Sequence, residues 1–239
     1  MIEVEHTILT IKPIAHIRTG FKTKFGVPRQ SGLVQGLRGT IVFEPEFRNP
    51  DALRGLEDFT HIWLLWDFSK AHTEGKWSPT VRPPRLGGNK RMGVWATRSP
   101  FRPNSIGLSS VRIVGIYTNT EDGPVIEVEG IDMMDGTPII DIKPYLPFTD
   151  IHADARGGFA EMANETSHNL NTTFDEDVRN MLSEKEMADL RGIISQDPRP
   201  HYQDDEERIY AMEYEGMEVK FRIKEDNAYV ISAHRQGGV

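Results

Sequence analysis

Apolar residues in the first 150 positions fall in short runs broken by Gly, Pro, Asn and Asp, not in long stripes of helical period. The runs cover 8–18, 39–43, 60–68, 92–97, 105–116, 124–131 and 138–142. This spacing predicts strands of an all-β sandwich or barrel. Asn49-Pro50 predicts the start of a short helix, with Asn as N-cap and Pro in the first helical position, and Gly55 its end. Strands do not alternate with helices and no G-x-G-x-x-G occurs, which argues against a doubly wound nucleotide-binding fold.

The pattern changes after Asp150. Residues 151–172 carry Gly157-Gly158, several Asn and few large apolar groups, and read as a linker. Thr173 with Glu176 and Ser183 with Glu186 each fit a capping box. The second precedes a one-sided stripe of Met187, Leu190, Ile193 and Ile194. Pro198 and Pro200 end that helix, and 210–214, 217–223 and 228–232 read as antiparallel strands. The expected organisation is therefore a mainly β domain over 1–150, a linker over 151–172 and a small α+β module over 173–239.

Composition narrows the chemistry. The 239 residues contain no cysteine, which excludes disulfides, thiolate metal sites, iron–sulfur clusters and cysteine nucleophiles. The eight histidines show no metal-ligand spacing, so no metal is expected; His61, inside an apolar run, reads as a core residue. No apolar run reaches the length of a membrane span, and the first residues do not resemble an export signal, so a cytoplasmic location is expected. Net charge is −8, yet the 46 residues of 75–120 carry eight Lys or Arg and no acid. Such a stretch builds a local positive field in an acidic chain.

Three segments carry candidate chemistry. The first, VRPPRLGGNKRMGVWATRSPFRPNSIGLS over 81–109, sets Arg82, Arg85, Arg91, Arg98 and Arg102 among Gly and Pro, with Trp95 and Phe101 between them. Stiff loops that present guanidinium forks suit phosphate or carboxylate ligands, and exposed aromatics suit stacking on bases. A solvated basic surface is the plainer reading. The second, KFGVPRQSG over 24–32, is again a Gly, Pro and Arg loop. The third runs from Gly130 to Tyr145. Period two places Asp141, Lys143 and Tyr145 on one face, a candidate proton-handling group; an ion pair beside a buried tyrosine fits equally.

These segments resemble the TsaA-like (TrmO-type) β-barrel methyltransferases. FGVPRQSGL, LRGLEDFTHIWLLW, VRPPRLGG, GVWATRSPFRPNSIGLS and DGTPIIDIKPYLP carry the likeness over about 8–150. QDPRP, at 196–200, resembles the C-terminal module of longer bacterial members. The resemblance implies an N-terminal β-barrel that binds S-adenosylmethionine, a homodimer, and N6-methylation of threonylcarbamoyladenosine 37 in tRNA, with a threonine tRNA as the expected substrate. It places cofactor contacts on Pro28, Arg29, Gln30, Ser69, Lys70, Arg98, Leu108, Glu129, Gly130, Ile131 and Asp132. Ser69 and Lys70 depart from relatives that carry a histidine there. It leaves Arg82, Arg85, Arg91, Trp95, Phe101 and Arg102 for RNA, and Asp141, Lys143 and Tyr145 for proton transfer. Two other readings stay open at this point: a non-catalytic RNA- or nucleotide-binding module, and a methyltransferase acting on a small metabolite.

Overall fold

The computed structural model describes residues 9–71, 77–83, 90–161, 169–199 and 205–235. Among the described residues, eight strands precede residue 150: β1 (Ala15–Thr19), β2 (Arg38–Phe43), β3 (His61–Asp67), β4 (Thr80–Val81), β5 (Met92–Gly93), β6 (Ile106–Thr120), β7 (Gly123–Glu129) and β8 (Thr137–Pro144). Six of them close a barrel in the order β1-β2-β7-β6-β3-β8, and each neighbouring pair is antiparallel. Closure removes the sheet edges. Side chains alternate as a strand requires. On β3, Ile62, Leu64 and Trp66 point into the barrel, where they meet Ile17, Ile41, Ile126, Val128 and Ile139. His61, Trp63 and Leu65 take the outer face. His61 is therefore only half-buried and lies beside Thr60 Oγ1, 2.9 Å from its Nδ1, instead of in the core.

Two runs form less strand than their pattern predicts. In 8–18 only Ala15–Thr19 pairs, while Leu9 and Ile11 stay exposed; Pro13, without an N–H, cannot extend the ladder. In 92–97 only Met92–Gly93 pairs, and Val94–Ala96 turns as a 3-10 helix closed by Thr97 N–H donating to Val94 O at 3.1 Å. The helix expected after Asn49 is one 3-10 turn, Pro50–Leu53, with the Asn49 side chain accepting from Asp51 N–H.

The C-terminal residues form β9 (Asn171–Phe174), β10 (Ile209–Tyr214), β11 (Met217–Lys224) and β12 (Asn227–Arg235), in the order β10-β11-β12-β9. Helices accompany them, among them α1 (Pro147–Asp150), α2 (Glu176–Met181) and α3 (Glu184–Ser195). The Ser183–Glu186 capping box forms with both of its bonds. The one expected at Thr173 does not. Thr173 lies on β9, parallel to β12, and Asp175 takes the N-cap position without a side-chain bond. No described helix is long and apolar enough to cross a membrane.

Barrel and module share one core. Phe21, Val34 and Leu37, from the segment joining β1 to β2, are buried with Leu190, Ile193, Ile194, Met212, Tyr214 and Phe221.

Candidate functional site

One end of the barrel collects most of the expected cofactor residues. β7 runs out through Glu129 into Gly130, Ile131 and Asp132, and the 24–32 loop lies against this exit. Gly32 N–H donates to Gly130 O, and Gly130 N–H to Leu37 O, both at 2.9 Å. Gly130 sits at φ 79°, and a Cβ there would stand 3.4 Å from the Gly32 backbone. The positive φ, not the contact distance, is what favours glycine there.

Asp132 is the electrostatic centre of this end. Ser109, on the inner face of β6, donates from its hydroxyl to Asp132 Oδ1 at 2.7 Å and accepts from Trp66 Nε1 at 2.9 Å. Burial pushes the Asp132 carboxyl up to about 6; the Ser109 hydroxyl, the Ser31 N–H and the nearby charge of Arg98 pull against that rise. Arg98 is exposed and donates to Gln30 Oε1, while Gln30 Nε2 donates to Arg29 O at 2.5 Å. Arg29 in turn donates to Asp197 O at 2.9 Å. Pro28 is buried.

The remaining cofactor candidates flank this cluster. Ser69 and Lys70 are exposed in the turn after β3, where Phe68 N–H meets Ser105 O at 2.9 Å. Leu108 points outward from β6 and is 53% exposed, unusual for a leucine in a central strand. Ile131 is fully buried, so its backbone is what faces the site. Glu129 is bound by Arg112 at 3.0 Å.

Asp141 and Lys143 lie on the outer face: alternation from the buried Thr137 and Ile139 would point Asp141 inward, and the register shift opposite Leu65 and Trp66 turns it out. Asp141 pairs with Leu65 on β3, and Leu65 with Leu108 on β6, so Asp141 and Leu108 share one row. Two strand spacings separate them, about 10 Å. Lys143 Nζ stands 3.0 Å from Asp141 Oδ2. Tyr145 packs its ring on Trp63 at 5.4 Å, apart from that ion pair.

The basic segment begins on the antiparallel β4–β5 pair and runs on to β6. Arg82 and Arg91 are exposed, and Arg91 donates to Thr80 Oγ1 at 3.2 Å. Arg102 donates to Thr97 O and holds its guanidinium 5.6 Å from the Trp95 ring centre. Trp95 and Phe101 are both more than half exposed, and Trp77 joins Trp95 at 5.5 Å. Arg85 lies outside the described residues.

This donor set fits S-adenosylmethionine. An exposed guanidinium suits its carboxylate, a largely buried aspartate its cationic groups, and an exposed leucine the adenine face. Reading the motifs missed Ser109 and Trp66. Their signal is present: period two puts Ser109 inward with Gly107 and Val111, a polar residue at a core position.

The chain matches two families. Residues 16–151 match the tRNA-methyltransferase O N-terminal domain, and residues 167–236 the TrmO C-terminal domain. It is 42% identical over 216 residues to the tRNA (adenine(37)-N6)-methyltransferase of Escherichia coli, covering 88% of this chain and 91% of that protein. It is 40% identical over 206 residues to a putative S-adenosylmethionine-dependent methyltransferase, RcsF, of Pseudomonas aeruginosa, covering 81% and 83%. A crystal structure of TrmO from P. aeruginosa superposes with a TM-score of 0.78 at 32% identity, covering 98% of this chain and all of that one.

Proposed function

The chain belongs to the tRNA-methyltransferase O family, and on that footing we propose that it methylates threonylcarbamoyladenosine at position 37 of a threonine tRNA. The broader activity is N6-methylation of adenosine 37 in tRNA, dependent on S-adenosylmethionine. The observation that carries the finer reading is the meeting of Gln30, Arg98, Gly130 and Asp132 at one barrel end, beside a cationic, aromatic segment.

S-adenosylmethionine supplies a methyl group already activated on a sulfonium, so the protein's task is alignment and proton removal. Arg98 holds the cofactor carboxylate, and Asp132 faces its cationic part. Pro28, Arg29, Gln30 and the backbone of 129–131 wall the pocket, with Ser69, Lys70 and Leu108 across from them. Arg82, Arg85, Arg91 and Arg102 meet the tRNA backbone or the threonine carboxylate, and Trp95 or Phe101 stacks on a splayed base. The carbonyl on N6 acidifies its proton. Asp141, paired with Lys143, is the proposed acceptor, and Tyr145 stands apart on Trp63. Exposed Ile106 and Val114 on β6 support a homodimer. A cytoplasmic location follows from the tRNA substrate.

Two preparations of one tRNA test the acceptor, one carrying threonylcarbamoyladenosine 37 and one transcribed without modification. Methylation of the first and little of the second is expected, because an arginine built for the threonine carboxylate is left unpaired by plain adenosine. Comparable rates on both overturn this acceptor.

A further inference from the structure

The segment between β1 and β2 carries Pro28, Arg29 and Gln30, yet the barrel supplies only one of its two walls. On the barrel side, Gly32 bonds to Gly130, Ser31 N–H to Asp132, and Gln30 to Arg98. The C-terminal module forms the other side. Phe25 lies parallel to two module rings, Tyr210 at 6.4 Å and 17° and Phe221 at 6.3 Å and 11°. Phe21 packs on Tyr214 at 5.0 Å. Glu215 N–H donates to Gly20 O at 2.9 Å, and Arg29 to Asp197 O at the same distance. Gly26 sits at φ 93°, and a Cβ there would stand 2.8 Å from Met212 Cε. The loop is thus packed against β10 and β11, and the positive φ at Gly26 favours glycine there.

We propose that Phe25 is a positioning residue through which the C-terminal module sets the affinity of the barrel for S-adenosylmethionine. It rests on the reading of Pro28, Arg29 and Gln30 as cofactor residues. The 18 residues of 20–37 contain no described strand or helix, so they have no ladder to fix their shape. Offset aromatic packing in a dense core supplies that order. Without the Phe25 ring, Gly26 to Gln30 spend only part of their time in the binding arrangement. The apparent dissociation constant then rises by the inverse of that fraction. Chemistry after binding is unchanged, because Phe25 faces the module and not the site.

The test is calorimetric titration of the full chain with S-adenosylmethionine, together with steady-state methylation of tRNA. Phe25→Ala is expected to raise both the dissociation constant and KM for the cofactor by about tenfold or more. Its kcat at saturating cofactor and its KM for tRNA should stay within about threefold of wild type. Where Phe25→Ala does not fold, Phe25→Leu keeps apolar volume, loses the planar stack, and should show the same split. Tyr210→Leu should follow it. Tyr210→Phe should not, since the buried Tyr210 hydroxyl has no partner among the described residues. A folded Phe25 variant with wild-type cofactor affinity overturns the proposal, as does a Tyr210→Phe chain weakened as much as Tyr210→Leu. Wild-type protein that binds no S-adenosylmethionine instead overturns the reading of the site itself.

Discussion

Asp132→Asn tests the electrostatics of the site without touching its shape. Burial raises the Asp132 carboxyl from 3.8 to about 6 in the folded chain. Between those values the native protein keeps a proton that the unfolded chain has released. Stability therefore falls as pH rises through this window, and the loss is complete above about pH 7. The gap corresponds to roughly 3 kcal/mol. The asparagine does not titrate, so the unfolding free energy of the variant, minus that of wild type, should grow by roughly 2–3 kcal/mol from pH 4 to pH 7. Its amide also meets the Ser31 N–H, which donates to the carboxylate in wild type. That mismatch costs about 1–3 kcal/mol, but it offsets the whole curve and leaves its pH dependence intact. Urea titrations of both proteins across pH 4–7 measure the difference, and other titrating groups cancel. A difference that is flat over this range, or that shrinks with rising pH, refutes the account of Asp132.

Arg98→Ala should weaken S-adenosylmethionine binding about tenfold; the guanidinium is exposed, so its charge-assisted bond stands at the low end of roughly 1.5–3 kcal/mol, and unchanged affinity by calorimetry in a folded variant would remove Arg98 from the site. Arg91→Ala should leave cofactor affinity alone and lower the slope of log tRNA affinity against log salt by about one or less; equal slopes reject a phosphate contact. Asp141→Asn should reduce kcat by about a hundredfold with cofactor affinity intact, and a kcat near wild type shows that the proton leaves by another route.

The barrel strands were legible because each apolar run is short, bounded by turn residues and alternating. The same period put Asp141 and Lys143 on one face, but the register shift in β8 decides that this is the outer one, and the structure forms the ion pair that the sequence offered as an equal reading. What stayed hidden depends on contacts distant in sequence. Nothing in 24–32 announces that Gly32 will bond to Gly130, or that Phe25 will pack on both Tyr210 and Phe221. β9 escaped for the same reason: four residues, two of them threonine, pair with β12 across more than 50 positions. Its Thr173 reads locally as a helix cap, and tertiary pairing overrides that signal. Ser109 was passed over because the run 105–116 was read as a strand without assigning its two faces, and only the barrel shows which face is inward.

The central claim is a methyl group delivered to N6 of adenosine 37, and mapping the product measures it directly. Purified chain, deuterium-labelled S-adenosylmethionine and a tRNA carrying threonylcarbamoyladenosine 37 are incubated, digested to nucleosides and to anticodon-loop fragments, and analysed by mass spectrometry. The account predicts one labelled methyl per tRNA, on N6 of the modified adenosine in the fragment that contains position 37. Label on any other nucleoside, or none in protein that binds the cofactor, contradicts it.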